Sequence, residues 1–353
     1  MAKQRTHHYL RPQPDFNHGI GINPRKRDEA SWLGLISEIW EPFGLAPGHG
    51  DDAVVLPPAQ YAVSTDFLAE GVDFEREWGP PDALGCKALA VNLSDIASSG
   101  AKPAWFFLTL ALPEDLEESY VERLLRGMRD RSLREEVRLA GGDLSASRSG
   151  LCVSITVLGV QEGRPLRRDG GKPGDSLFVS GPLGGPRAAL ARFKNGERLE
   201  FFDVDKAPEG PQKLLDRFFR PPSQTALGLF LSKEIAVGAC MDVSDGLGRD
   251  LGRICEASGC GAEIEASAVP PEKWEGGWAS LDDAVAGGEE QVLLFSAPQS
   301  QKHLLETAPM PLFEIGRLAS GRGVTLLKDG QRMAVSGVGF DHFAACGPNE
   351  TST

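Results

Sequence analysis

Five short acidic segments constrain this chain more than any other feature: GHGDD at 48–52, STD at 64–66, NLSD at 92–95, GGD at 141–143 and MDVSDG at 241–246. Each is flanked by apolar residues, and each joins its carboxylate to Gly, Ser or Thr instead of to the Lys and Arg of a solvated helix face. The pattern places them in turns, at junctions between an apolar element and a loop. One such segment alone reads as an Asx-turn or a helix N-cap, the positions Asp and Ser favour. Five together ask for a cation, because carboxylates gathered at an apolar interior are costly without one. Mg2+ suits the donor set, being held by one or two carboxylates together with water and substrate phosphates. Glycine points the same way: 42 of 353 residues is well above the usual share of about 7%, and glycine lets the backbone approach a ligand closely.

The charge balance sets a condition on any phosphate chemistry. Lys and Arg number 37 against 50 Asp and Glu, a net charge of −13. Residues 1–30 hold six cations and three carboxylates, so this arm is +3 and the remaining chain −16. Such a body repels nucleic acid and anionic membrane. It can hold a phosphate only where metal ions or backbone dipoles supply positive charge. The six cysteines, Cys86, Cys152, Cys240, Cys255, Cys260 and Cys346, form no CxxC pair, so reduced, buried thiols in a cytoplasmic protein are expected. The polar start has no apolar signal region, and the apolar run at 105–113 is too short to span a bilayer, so neither export nor membrane insertion is expected.

Alternation of apolar runs predicts an α/β (α+β) architecture. Residues 61–66 and 151–160 read as strands, and 116–137 as a charged helix. Residues 82–100 read as a helix with Leu84, Ala88, Val91 and Asp95 on one face. Lys87 lies two turns before Asp95, roughly 12 Å along the axis at about 1.5 Å per residue, and can point at the same cleft or into solvent. A Gly-, Pro- and charge-rich break at 163–175 suits a hinge or a domain linker. Beyond it, strands are expected at 177–180, up to Val243, and at 292–297, 313–318 and 324–327, with helices at 184–195 and 246–258. The expected organisation is a mobile arm at 1–30, an N-terminal domain at 31–162, a C-terminal domain at 163–344 and a tail at 345–353.

What the sequence lacks narrows the chemistry. There is no GxxxxGK[ST], no GxGxxG after a strand, no HExxH and no GxSxG, so P-loop, Rossmann, zincin and hydrolase readings have no support. Only His49, His303 and His342 lie outside the arm. With Arg167, Arg168, Lys172 and Arg220 as available cations, phosphoryl transfer fits best, since it needs positioning and charge neutralisation more than a covalent catalyst.

At this level of detail the sequence resembles the thiamine-monophosphate kinase family of the aminoimidazole ribonucleotide synthetase-like superfamily. The matching stretches are GDDAVVL at 50–56, VSTDFLAEGVDF at 63–74, KALAVNLSDIASSGAKPAW at 87–105, LAGGDLS at 139–145, GGKPGDSLFVSGPLGG at 170–185 and MDVSDGLGRDLGRI at 241–254. The resemblance implies two α/β domains, a homodimer formed through the N-terminal sheet, and ATP with Mg2+ in the cleft. It implies metal ligation by Asp52, Thr65, Asp66, Asp95, Asp143, Asp242 and Asp245. Asp52, Ser64, Gly142, Asp143, Arg168 and Ser244 would contact ATP or its metals, with no covalent catalyst. The implied reaction is attack of the thiamine monophosphate phosphate on the γ-phosphoryl group of ATP.

The departures gather at the acceptor. The family pattern GxHF is here GVDF with Asp73, GGEDYEL is GGEEQVL with Glu289 kept, and a Trp common before GFDHF is replaced by Ser336, Gly337 and Val338. By analogy Asp73, Glu289 and Gly337 would face the acceptor. Losing a stacking aromatic removes about 1 kcal/mol or more of contact, and Asp73 would repel a phosphate. Three outcomes stay open: a thiamine-monophosphate kinase with an altered pocket, a related kinase acting on another small phosphorylated or carboxylated molecule, or an ATP-binding regulatory protein without transfer.

Overall fold

The computed structural model describes residues 29–40, 42, 56 and 58–340. The GHGDD segment with Asp52, the tail and all but the last two residues of the arm lie outside them, so those expectations have no structural counterpart. The helix α1 (Glu29–Trp40) begins within the last two residues assigned to the arm.

The first half builds β1 (Tyr61–Ala69), α2 (Pro81–Ser98), β2 (Lys102–Pro113), α3 (Glu118–Arg134), β3 (Arg138–Ser147) and β4 (Cys152–Val160). Its sheet runs β1-β4-β2-β3, antiparallel except for the β2/β3 pair. Strand alternation gives the sheet two different faces. Leu68, Phe106, Leu108, Val153, Ile155 and Val157 point into the core, while Val63 and Phe67 remain 61% and 59% exposed on the other face. The helix α2 fills the covered side, and α3 packs on it closely: a Cβ on Gly85 would lie 1.9 Å from the Leu124 carbonyl, and one on Gly127 1.9 Å from that of Asp82.

The second half builds β5 (Ser176–Val179), α4 (Gly185–Lys194), α5 (Gln212–Phe219), α6 (Thr225–Glu234), β6 (Cys240–Asp242), α7 (Leu247–Ser258), β7 (Gly261–Glu265), the hairpin β8 (Lys273–Trp274) and β9 (Gly277–Trp278), α8 (Leu281–Ala286), β10 (Leu293–Ala297), α9 (Lys302–Leu305), β11 (Phe313–Ala319), β12 (Gly323–Lys328) and β13 (Gln331–Ala334). Seven strands form one sheet in the order β13-β12-β7-β11-β5-β10-β6. Its central strands are covered on both faces. Leu177, Val179 and Leu294 pack with α7, and Phe178 stacks on Phe295 toward α6, 5.3 Å between centroids.

Three expectations change. The helix α2 has no polar face: Cys86, Lys87, Asn92 and Ser94 are buried along with its apolar residues. It is the central helix of the molecule, touching its own sheet, α3, α5 and α6. The segment at 163–175 is irregular as expected but is not a loose hinge. Leu166 N–H donates to the Ser99 carbonyl (2.9 Å), Arg164 N–H to that of Ser232 (3.1 Å), and Cys240 N–H to that of Arg167 (2.7 Å). Third, the acidic segments are not all at junctions: STD lies inside β1, NLSD inside α2 and GGD inside β3. Only MDVSDG, at the end of β6, has the expected place. Phe193, Phe202, Leu214, Phe218 and Phe219, after the break, pack into the same apolar cluster as the first half, with Trp78 stacked on Phe193 at 5.4 Å.

A carboxylate cluster between the two sheets

The helix α2 assembles the candidate site because two of its stripes face different partners. Toward β1, Asn92 and Asp95 lie one turn apart. Asn92 Oδ1 accepts the Asp66 N–H (3.1 Å), and Asp95 Oδ2 accepts from Ser64 Oγ (2.5 Å). Toward the second half, Lys87 and Ser94 lie two turns apart. Ser94 Oγ donates to Asp242 Oδ2 (2.7 Å), and Lys87 Nζ donates to Glu289 Oε2 (2.8 Å). A four-residue segment thus brings Asp66 of β1 and Asp242 of β6 to one helix.

The electrostatics show how close these acids are. Burial first, then the charges of Asp95, Glu289 and Asp73, push the Asp66 carboxyl up to about 7. Burial and the Asp95 charge push Asp242 up to about 8. Asp95 is raised by burial, opposed by the Ser64 hydroxyl and the Arg168 guanidinium. Three desolvated carboxylates, with the Asp95 charge raising both Asp66 and Asp242, call for positive charge. Among the described residues no three acidic, His or Cys side chains converge into an all-protein cage. Mg2+ does not need one, being held by one or two carboxylates with waters and phosphate oxygens as its other ligands. The donor set therefore fits Mg2+.

The turn after β6 is built by a residue that sequence reasoning missed. Asp250 Oδ2 accepts three backbone N–H bonds, from Ser244 (3.0 Å), Asp245 (2.9 Å) and Gly246 (3.2 Å), from a fully buried position in α7. Arg253 donates to Asp250 Oδ1 and to Asp245 Oδ2, 2.6 Å each, so one oxygen of Asp245 is already engaged. The signal was present in RDLGR: an Asp four residues past a Gly at a helix start can close the preceding turn.

Several expected ligands are not brought to the cluster. Thr65 lies on the opposite face of β1 from Ser64 and Asp66, because successive side chains of a strand alternate. Its Oγ1 donates to the Ile155 carbonyl (3.1 Å) and accepts from Thr156 (3.1 Å). Gly142 and Asp143 are on β3, at the other edge of the sheet from β1. Three strand spacings of about 4.8 Å separate them. Gly142 also has a structural reason to be glycine, since a Cβ there would lie 1.7 Å from the Leu108 carbonyl.

Of the residues expected to face an acceptor, Asp73 accepts the Ala69 N–H at Oδ2 (2.8 Å) across a tight turn. Glu289 adopts φ 67 and its N–H donates to the Ser244 carbonyl (2.8 Å). Glu290 beside it is fully buried and paired with Arg217 (3.2 Å). Gly337, φ 74, lies in the segment that crosses α7, where Phe340 N–H bonds the Asp245 carbonyl (2.8 Å). Two cavities of about 590 and 670 Å3 lie elsewhere, against Trp105 and Arg138 and against Arg131 and Arg220.

Two α/β halves joined by the Ser94–Asp242 and Lys87–Glu289 bonds across their seam define a class of protein, and sequence comparison gives the same class. Residues 50–161 match the AIR synthase related protein N-terminal domain and residues 172–329 the AIR synthase related protein C-terminal domain. Within that class the chain belongs to the thiamine-monophosphate kinase family. It is 36% identical over 312 residues to thiamine-monophosphate kinase of Salmonella typhimurium, covering 84% of this chain and 92% of the relative. The crystal structure of thiamine-monophosphate kinase from Stenotrophomonas maltophilia K279a is 35% identical, with a TM-score of 0.68 over 80% of this chain and 90% of that one. A structure described as AaThiL complexed with AMPPCP and TMP is 32% identical, with a TM-score of 0.68 over 88% and 96%. Among the described residues no helix is long and apolar enough to cross a membrane.

Proposed function

We propose that the chain is an ATP-dependent kinase that converts thiamine monophosphate to thiamine diphosphate. A phosphate oxygen of thiamine monophosphate attacks the γ-phosphorus of ATP, the bond to the β–γ bridging oxygen breaks, and ADP leaves. The observation that carries this reading is that one segment of α2, Asn92 to Asp95, bonds both β1 and β6: Asn92 holds the Asp66 backbone, Ser64 bonds Asp95, and Ser94 bonds Asp242. Those carboxylates would hold Mg2+, which supplies neutralising charge for the phosphates. Asp52 and Asp245 extend the proposed ligand set. Ser244 offers its turn to ATP, and Arg168, whose charge already reaches Asp95, would meet a phosphate. Asp73, Glu289 and Gly337 would line the acceptor side. The division into domains at 31–162 and 163–344 and a cytoplasmic location belong to the same reading, the latter supported by free cysteines among the described residues.

Thr65, Gly142 and Asp143 keep a proposed role only if two copies pair. The outer face of the first sheet carries exposed Val63 and Phe67 beside Thr65, and apolar strand surface of this kind is characteristically covered. Pairing of these faces in a homodimer would carry Gly142 and Asp143 of one protomer toward the partner's β1.

The test is direct. Purified protein with ATP, Mg2+ and thiamine monophosphate should form thiamine diphosphate and ADP in equal amounts. No product at high enzyme concentration rejects the reading. ATP binding without transfer to any phosphorylated acceptor would favour the regulatory alternative, and turnover of a different acceptor the related-kinase one.

A further inference from the structure

The ammonium group of Lys87 stands apart from every other cation in the described residues. It has no solvent exposure, although it sits on a helix that also carries Asp95. Its surroundings are complete: Nζ donates to Glu289 Oε2 (2.8 Å) and to the Phe218 carbonyl (3.2 Å), and it lies 3.6 Å from the centroid of the Phe218 ring. Glu289 is its opposite in every respect. The side chain is 32% exposed, and the backbone is held at φ 67, a conformation costly for a residue with a Cβ. A strained residue persists where its surroundings over-determine it. For Glu289 the restraints are the Ser244 carbonyl on its N–H and Lys87 on its carboxylate.

We propose that Lys87 is a positioning residue for the acceptor. It fixes the Glu289 carboxylate in one orientation at the cleft wall, and it neutralises a charge that would otherwise add to Asp66 and Asp73 against an incoming phosphate. The proposal rests on the kinase reading above and gives Lys87 a role in acceptor binding rather than in ATP binding. Because Lys87 belongs to the first half and Glu289 to the second, the acceptor wall is complete only when the two halves are docked against each other.

The experiment is steady-state kinetics on the full chain with ATP, Mg2+ and thiamine monophosphate, for wild type, Lys87→Met, Glu289→Asn and the double variant. Asn tolerates the left-handed backbone but lacks the charge and the reach. Each single variant should raise KM for thiamine monophosphate roughly tenfold or more, the size expected for a lost charge-assisted hydrogen bond. KM for ATP should stay within about twofold, and Lys87→Met should add nothing in the Glu289→Asn background. An unchanged acceptor KM in Lys87→Met, or a parallel rise in both KM values, overturns the proposal. Additive effects in the double variant overturn it as well. If Lys87→Met does not fold, Glu289→Asn still decides: an unchanged acceptor KM there rejects the role. Wild type without turnover would instead reject the kinase reading itself.

Discussion

At one end of the cleft Asp66, Asp95 and Asp242 are tied to one segment of α2, with the hydroxyls of Ser64 and Ser94 donating to Asp95 and Asp242. At the other end Glu289 meets the buried ammonium of Lys87. Both ends are organised by α2, and both place carboxylates near apolar surface, yet they are neutralised differently. At the first end burial, and then repulsion between acids, lifts Asp66 to about 7 and Asp242 to about 8. The second pairs its carboxylate with a buried ammonium. A site that leaves carboxylates in conflict is prepared for a cation from outside, whereas a satisfied pair is prepared to hold a shape. This difference supports the proposed roles, the first end for the metal–nucleotide and the second for acceptor recognition.

The largest effect that can break this contrast is at the first end. Asp95→Asn and Asp242→Asn keep shape and hydrogen bonding but remove a charge needed for Mg2+, so turnover should fall about 100-fold or more. Thermal unfolding in EDTA should be unchanged or higher, since a repulsive charge is gone. Normal Mg2+ dependence in both variants would break the assignment. Next comes the outer sheet face: Phe67→Glu should shift sedimentation from dimer to monomer and lower activity with it, if Thr65 and Asp143 serve across a dimer.

A smaller effect is expected from Asp73→His, which removes a negative charge where the family pattern has a His. KM for thiamine monophosphate should fall about threefold, the scale of one partly exposed charge, with kcat unchanged. The last effect is read in stability and not in rate. Asp66 and Asp242 hold their protons in the folded state well above the ordinary 3.8, so across that window the folded chain binds more protons than the unfolded one. Their contribution therefore makes stability fall as pH rises from about 4 to about 8. Urea unfolding in EDTA should show that slope, flattened in Asp242→Asn. An identical slope in both proteins would show that Asp242 is not its source.

Much of this was readable in the sequence because the chemistry is concentrated in short, unusual segments. Asp66, Asp95 and Asp242 stood out as carboxylates among apolar neighbours, and Lys87 was visible as a cation on the helix of Asp95. The strands 61–66 and 151–160 and the helix at 246–258 had clear periods. What misled was context. STD, NLSD and GGD look like turn sequences because Gly and Ser dominate them, but strand pairing and helix packing override local preference. The helices α5 and α6 were missed between 212 and 243, where apolar residues from several faces blur the 3.6-residue period. Asp250 was passed over because its one signal, an Asp four residues past a Gly at a helix start, is short and equally suits a solvated helix face. The placement of Asp143 depends on strand order, which no local segment carries, while that of Thr65 follows from alternation along its own strand.

One titration tests the metal role of the carboxylate cluster most directly: thiamine diphosphate formation from ATP and thiamine monophosphate as a function of Mg2+, for wild type and Asp242→Asn. The wild type should show saturable activation and complete loss of activity in EDTA, and the variant should need far more Mg2+ to reach a much lower rate. Turnover that persists in EDTA, or an Asp242→Asn curve that overlays the wild type, would contradict that role.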